Sequence, residues 1–317
     1  MMLGTSFPCG DPLAERRAAF AETMAHLGDY GGAIEALSRA MDLVPGWAAG
    51  WFRLGEYHEA VGEVDAAADA WDKAVAADPR DPLGAGLRRD LLRGVPVAES
   101  MPAAFVELLF DQYAPRFERS LVGKLNYRGP ELLLSALKSQ GFMRARHALD
   151  LGCGTGLMGE LLRPHCDRLD GYDISSKMLA EAAAKGVYDA LEKRNIAEMS
   201  AIVPRYDLIL AADVFIYLGA LERVIGWCAG ALAPGGQIAF TLELGEVPVQ
   251  LRESRRFAHS REYITGLMAE AGFAEVSLTG CALRQDRGQD VAALLVTARA
   301  PARVLDREGD GETEALV

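Results

Sequence analysis

Histidine and cysteine are both scarce, at five each in 317 residues, and neither clusters. Cys9, Cys153, Cys166, Cys228 and Cys281 include no C-x-x-C pair, and their number is odd. That argues against a disulfide framework and fits reduced thiols in a cytoplasmic protein with no metal site. Cys153 sits in a glycine-dense turn, where a small neutral filler is expected rather than a nucleophile. Basic residues are the minority, 33 against 45 acidic, for a net charge of −12. General nucleic-acid binding needs a cationic face, so no nucleic-acid partner is expected, although a local basic patch stays open. No basic n-region with an apolar stretch opens the chain, so no signal peptide is expected. No run of about 18 apolar residues occurs, so no membrane span is expected either. What is present is a 50% hydrophobic composition over a length that suits two domains of ordinary size.

The most informative stretch is His147-Ala148-Leu149-Asp150-Leu151-Gly152-Cys153-Gly154-Thr155-Gly156. An apolar strand ends in an acid, a glycine-rich turn follows, and Leu157 to Leu162 reads as the start of a helix. Glycines let the backbone turn sharply and approach a ligand, and a helix N-terminus offers free N–H groups. Two nucleotide motifs share these residues. Gly154-Thr155-Gly156-Leu157-Met158-Gly159 matches G-x-G-x-x-G, with Asp173 about 20 residues on, as a dinucleotide site requires. Asp150, Gly152, Gly154 and Gly156 equally fit Asp-x-Gly-x-Gly-x-Gly, which resembles motif I of class I S-adenosylmethionine (SAM) methyltransferases. Asp150 favours the second motif, because a carboxylate there can face a cationic amino acid and would repel a pyrophosphate. A glycine turn without a ligand is the plainer alternative.

The first ninety residues repeat. Gly28, Ala33, Leu37, Ala40 and Pro45 recur 34 positions later as Gly62, Ala67, Trp71, Ala74 and Pro79. The pattern resembles two tetratricopeptide (TPR) repeats, and Trp51, Leu54, Gly55 and His58 add the spacing of that family's first helix. Small residues let paired helices approach closely, and the prolines stop the second helix of each pair. Asp81 to Leu92 then predicts a capping helix, with Asp81 as N-cap and Pro82 in its first turn. Residues 1–93 form this small all-α domain. A buttress or self-association surface and a docking site for a protein partner are both open for it.

Residues 94–102 read as a linker. Residues 103–117 predict an amphipathic helix interrupted near Pro115, and Gly129-Pro130 opens another. Strands follow at 146–151, 168–173, 187–192, 206–212, 236–243, 273–280 and 291–298, with helices near 155–163, 176–185, 219–231 and 260–271. Such alternation predicts an α/β, Rossmann-like seven-stranded sheet, mainly parallel. The short connection before the last strand makes that strand antiparallel and places it at the sheet edge. This domain spans 103–300. The tail 301–317 is acidic and predicts disorder.

Four motifs together carry a family resemblance: Asp150 to Gly156, Gly171-Tyr172-Asp173-Ile174-Ser175, Tyr206 to Val214, and Leu232-Ala233-Pro234-Gly235-Gly236-Gln237. With Phe110 to Phe117 and Arg256 to Ser260, they make residues 103–299 resemble a class I SAM-dependent methyltransferase of a subgroup with N-terminal TPR repeats. The resemblance implies SAM as cofactor, held by Asp150, Gly152, Cys153, Gly154 and Gly156. Asp173 would accept both ribose hydroxyls, or stabilise a helix N-terminus as a plain alternative. Ile174 and Met178 would flank the adenine. Asn195 and Ile196 stand where the family commonly has Asp-Ala or Asp-Ile, so Asn195 would meet the adenine amino group without a charge. Asp213 would contact the methionine end or line the acceptor site, unless it only caps a loop. His259 is the candidate base, with Asp213 and Tyr113 as further catalytic candidates, and helix capping with Ser260 is its plain alternative. Tyr113 and Phe117 would close over the pocket. Arg256 and Arg284, with Arg287 beyond, suggest a carboxylate or phosphate on a small acceptor, although a solvated face gives the same pattern. A protein methyltransferase recruiting through its TPR domain, a relic-fold scaffold and a dehydrogenase are the competing functions.

Overall fold

The computed structural model describes residues 7–93, 101–200, 206–286 and 288–300. Most of the expected linker, Arg287 and the acidic tail lie outside the described residues. The N-terminal region is built of helices α1 (Pro12–His26), α2 (Tyr30–Met41), α3 (Ala48–Ala60), α4 (Val64–Ala77) and α5 (Ala85–Arg93). Asp11 starts α1 by accepting from the Leu13 and Ala14 N–H groups, and Asp29 starts α2 by accepting from Gly32. Gly28 and Gly62 take φ values of +86° and +80° in the two tight turns, a conformation that side chains disfavour. Between the pairs, Ala33, Leu37, Ala40, Ala67 and Trp71 are fully buried. The expected cap of α5 needs correction. The helix begins at Ala85, after a turn at 82–84, yet the Asp81 carboxylate still reaches the N–H groups of Ala85 and Gly86, at 2.7 and 2.9 Å.

Helix α6 (Ala103–Tyr113), a 3₁₀ turn holding Pro115 and α7 (Phe117–Leu125) follow, so the interruption near Pro115 is a change of helix type. After α8 (Gly129–Ser139) comes the sheet: β1 (Ala145–Leu151), β2 (Cys166–Asp173), β3 (Ala190–Lys193), β4 (Tyr206–Ala211), β5 (Leu232–Leu244), β6 (Val249–Leu251), β7 (Phe257–His259), β8 (Ala274–Asp286) and β9 (Gln289–Arg299). Strands β3, β2, β1, β4 and β5 run parallel in that order. The described sheet has nine strands rather than seven, because a short β6–β7 hairpin adds to the end of β5. The last strand is antiparallel, as the short connection requires, but it is not at the edge. It pairs with both β5 and β8, which leaves β8 outermost. Strand β3 starts at Ala190, later than expected, and frees residues 187–189 as a loop.

Both faces of the sheet are covered, as a parallel sheet requires. Leu149, Ile209 and Phe240 pack toward helices α11 (Glu222–Ala231) and α12 (Arg261–Glu270). Ala148, Leu208 and Leu210 pack on Leu133 and Leu137 of α8. The helical region joins this body through α5: Leu87 clusters with Met101, Phe105, Leu251 and Phe257. The order β3-β2-β1-β4-β5 reverses direction between β1 and β4, and the crevice at such a reversal is where open α/β sheets hold ligands.

Candidate functional site

Strands β1, β2 and β4 end on one pocket, closed above by helices α6 and α7. The turn after β1 carries Gly152 at φ +67°. A Cβ there would collide with Val214 after β4, so this glycine serves both its own dihedral and the packing of two loops. The Gly152 and Cys153 N–H groups bond the Tyr172 carbonyl at 2.7 and 3.0 Å, tying the turn to β2. Cys153 lines the pocket, and burial pushes its thiol well above the usual range, which keeps it neutral.

Two acids sit at the strand ends. Asp150 is 1% exposed. Its Oδ2 accepts from the Tyr188 hydroxyl at 2.7 Å, while its buried Oδ1 has no partner. Burial pushes its carboxyl up to about 7, with Asp173 adding to the rise and the Tyr188 hydrogen bond opposing it. Asp173 receives the Gly154 N–H at 2.9 Å and the Ser175 N–H at 2.8 Å, one on each oxygen. Burial also raises its carboxyl, against these backbone donors. The Ile174 N–H also acts on this carboxylate, which keeps acceptor capacity toward the pocket it lines.

Of the other expected cofactor contacts, Ile174, Asn195, Ile196 and Gly154 line the pocket. Met178 does not: it is fully buried beneath, in the first turn of α10 (Ser176–Lys185). Gly156 does not line it either and instead turns the chain into α9 (Leu157–Leu162) at φ +89°. Asn195 caps its own turn, with Oδ1 on the Ala197 N–H and Nδ2 on Glu198.

The acceptor-side expectations divide. His259 is corrected: it is fully buried in β7, away from the pocket lining. Its Nε2 lies 2.8 Å from the Gly219 carbonyl, its ring stacks on Tyr263, and burial lowers its pKa. It immediately precedes Ser260, which caps α12. Arg284 is corrected as a substrate contact. It lies within β8, 2% exposed, with Nη1 2.6 Å from both Asp213 oxygens and Nη2 on Glu243. Asp213 does line the pocket, at φ +58°, but its charge is matched by Arg284. Arg252 likewise pairs with Glu243. Arg256, Tyr113 and Phe117 line the pocket.

The residues the sequence did not single out are those that hold the site. Asp111 of α6 accepts from the Ser175 hydroxyl at 2.6 Å. Glu118 of α7 meets Thr155 of the glycine turn at 2.8 Å and Lys185 at 2.7 Å. These bonds latch the covering helices to both sides of the crevice. Tyr127 lines the pocket, and burial keeps its phenol protonated. Tyr188 and Asp150 are 38 positions apart, and no local motif announces such a pair.

A glycine turn at a switch point, flanked by two buried strand-end acids, has the layout of a ligand site of an open α/β sheet. Residues 149–238 match a family described as "Methyltransferase domain". The chain is 25% identical over 143 residues to a Coxiella burnetii ubiquinone biosynthesis O-methyltransferase, across 44% of this chain and 59% of the relative. It is 39% identical over 92 residues to a Pseudomonas aeruginosa trans-aconitate 2-methyltransferase, across 28% of this chain and 33% of that one. Among solved structures, Burkholderia thailandensis 1,6-didemethyltoxoflavin-N1-methyltransferase, with S-adenosylhomocysteine bound, aligns at TM-score 0.51 and 16% identity. That alignment covers 65% of this chain and 93% of the other, and shows the shared fold. The chain thus spans 59% of the length of the first of these relatives. Residues 149–238 are similar to a methyltransferase domain, and SAM is the cofactor to set against the site. The site fits that group on its own geometry: the orphaned Asp150 Oδ1 suits an ammonium, and the Asp173 lone pairs suit a ribose diol.

Proposed function

We propose that the chain methylates a small acceptor, one bearing an anionic group, with SAM as donor. The observation that carries this reading is the pairing of an orphaned Asp150 oxygen with the Asp173 carboxylate in one pocket. SAM supplies a methyl group already activated on a sulfonium. The residues of the chain then have to align an acceptor and exclude water. Phe110, Tyr113 and Phe117 do the excluding, in edge-on contact at 6.2 and 6.3 Å between ring centres. Arg256 supports an anionic acceptor, since Arg252 and Arg284 are already neutralised by Glu243 and Asp213. The names of two relatives, a trans-aconitate 2-methyltransferase and a malonyl-[acyl-carrier protein] O-methyltransferase, support the same reading. Asp173→Ala tests the reading: SAM affinity should fall more than about tenfold, the cost of losing a charge-assisted pair. Unchanged affinity would remove Asp173 from the site.

The second reading is a protein methyltransferase that recruits its substrate through residues 1–93, taken as two TPR repeats. The period of 34 supports the repeats, as do the matching helix pairs around Gly28 and Gly62. The contact of α5 with Phe105 and Phe257 favours a buttress for the pocket wall over recruitment. A cytoplasmic location agrees with five free thiols.

A further inference from the structure

Three glycines of the sequence motifs, Gly156, Gly159 and Gly171, border a protein side chain. An added Cβ at Gly159 would collide with Tyr188, one at Gly156 would crowd its ring at 3.1 Å, and one at Gly171 would meet that ring at 3.0 Å as well as Leu191 and Cys153. All three border one aromatic side chain, which comes from the loop that the late start of β3 creates. Tyr188 does not line the pocket. It approaches from behind the glycine turn, and its hydroxyl ends 2.7 Å from Asp150 Oδ2. The other oxygen of the same carboxylate is buried and unpartnered. A carboxylate held by one oxygen on a fixed phenol has its second oxygen aimed, and here the only chemistry missing from that oxygen is a donor.

We infer that Tyr188 is a positioning residue for the cofactor's amino acid end, fixing Asp150 so that Oδ1 is presented to an ammonium. This rests on the SAM reading of the site. The phenol donates one hydrogen bond and stays protonated, since burial and the Asp150 charge both push its pKa up. Ionisation of Asp150 is opposed by burial and by Asp173 from β2, with Cys153 and the Tyr127 phenol also facing the acid. Among these groups Tyr188 is the one that favours the carboxylate. Without its hydroxyl, Asp150 holds its proton to higher pH and the ammonium loses its counter-charge.

The test is calorimetric titration of SAM into the full chain between pH 6 and 8. Tyr188→Phe keeps the ring and removes the donor. SAM binding should weaken about tenfold at pH 7, the order expected for a hydrogen bond to a charged group. The acid limb of the affinity profile should move to higher pH. In an Asp150→Asn background, Tyr188→Phe should change little, because both act through one carboxylate. Gly159→Ala is the second variant: its methyl displaces the same hydroxyl from outside the pocket and should weaken SAM in the same way. Equal losses in both backgrounds would overturn the inference, as would an unshifted affinity and pH profile in Tyr188→Phe. A wild-type chain that binds no SAM would instead remove the reading on which the inference stands.

Discussion

Replacing Asp150 with asparagine should separate what this acid does for binding from what it does to stability. The side chain keeps its shape and can still meet the Tyr188 hydroxyl, but a buried charge is gone. Asp150 is raised from an ordinary 3.8 to about 7. A folded-state pKa above the unfolded value means that the folded chain holds the proton more tightly. The stability this gives is complete below about 4 and is lost as pH rises through about 7. The full difference corresponds to a ceiling of about 4 kcal/mol at pH 8. A weakened hydrogen bond to Tyr188 takes back about 1 kcal/mol or more. Asp150→Asn should therefore raise stability by about 2–3 kcal/mol at pH 8, an upward melting shift on the order of 5–10 °C for a domain of this size. At pH 4.5 the two proteins should melt together. SAM binding should weaken in the variant throughout. Differential scanning calorimetry of the ligand-free chain at pH 4.5, 6, 7 and 8 reads the effect. A melting difference that is zero at pH 8, or constant with pH, would refute the assignment of a burial-raised acid at the end of β1.

Other perturbations follow from the same geometry. Arg284→Met leaves the half-buried Asp213 without its cation and the buried Glu243 with Arg252 alone, and should cost about 3 kcal/mol, read from denaturant unfolding; a loss within 0.5 kcal/mol would remove the network from the core. Glu118→Ala frees α7 from Thr155 and Lys185 and should speed SAM dissociation severalfold with little change in melting, as stopped-flow fluorescence would show. Removing residues 1–93 exposes Phe105, Leu251 and Phe257, so the remainder should melt lower and bind SAM more weakly. A remainder with unchanged melting and affinity would argue against the buttress.

The sequence displayed the site's cofactor half because that half is local. Asp150, Gly152 and Asp173 stand at strand ends, and a strand–turn–helix pattern announces such positions without knowledge of the rest of the fold. The acceptor half is assembled across the sheet. Whether Arg284 faces a pocket or a buried acid depends on β9 pairing between β5 and β8, which no window of sequence contains. His259 misled for a related reason. Its segment forms an unforeseen strand, β7, and strand periodicity in three residues is too short to read. Tyr188 was hidden by the same limit at β3. The strand's late start turned an expected ladder residue into the loop residue that reaches Asp150. The glycines at 156 and 159 were visible in the motif, but the tyrosine that packs against them was not.

The central claim is that one pocket at the ends of β1 and β2 holds SAM through Asp150 and Asp173. Calorimetric titration of SAM into the full chain at pH 7.5 tests it most directly. The account predicts one saturable site per chain, weakened more than about tenfold by Asp173→Ala. Absence of binding heat at two temperatures, with no thermal shift at saturating SAM, would contradict it.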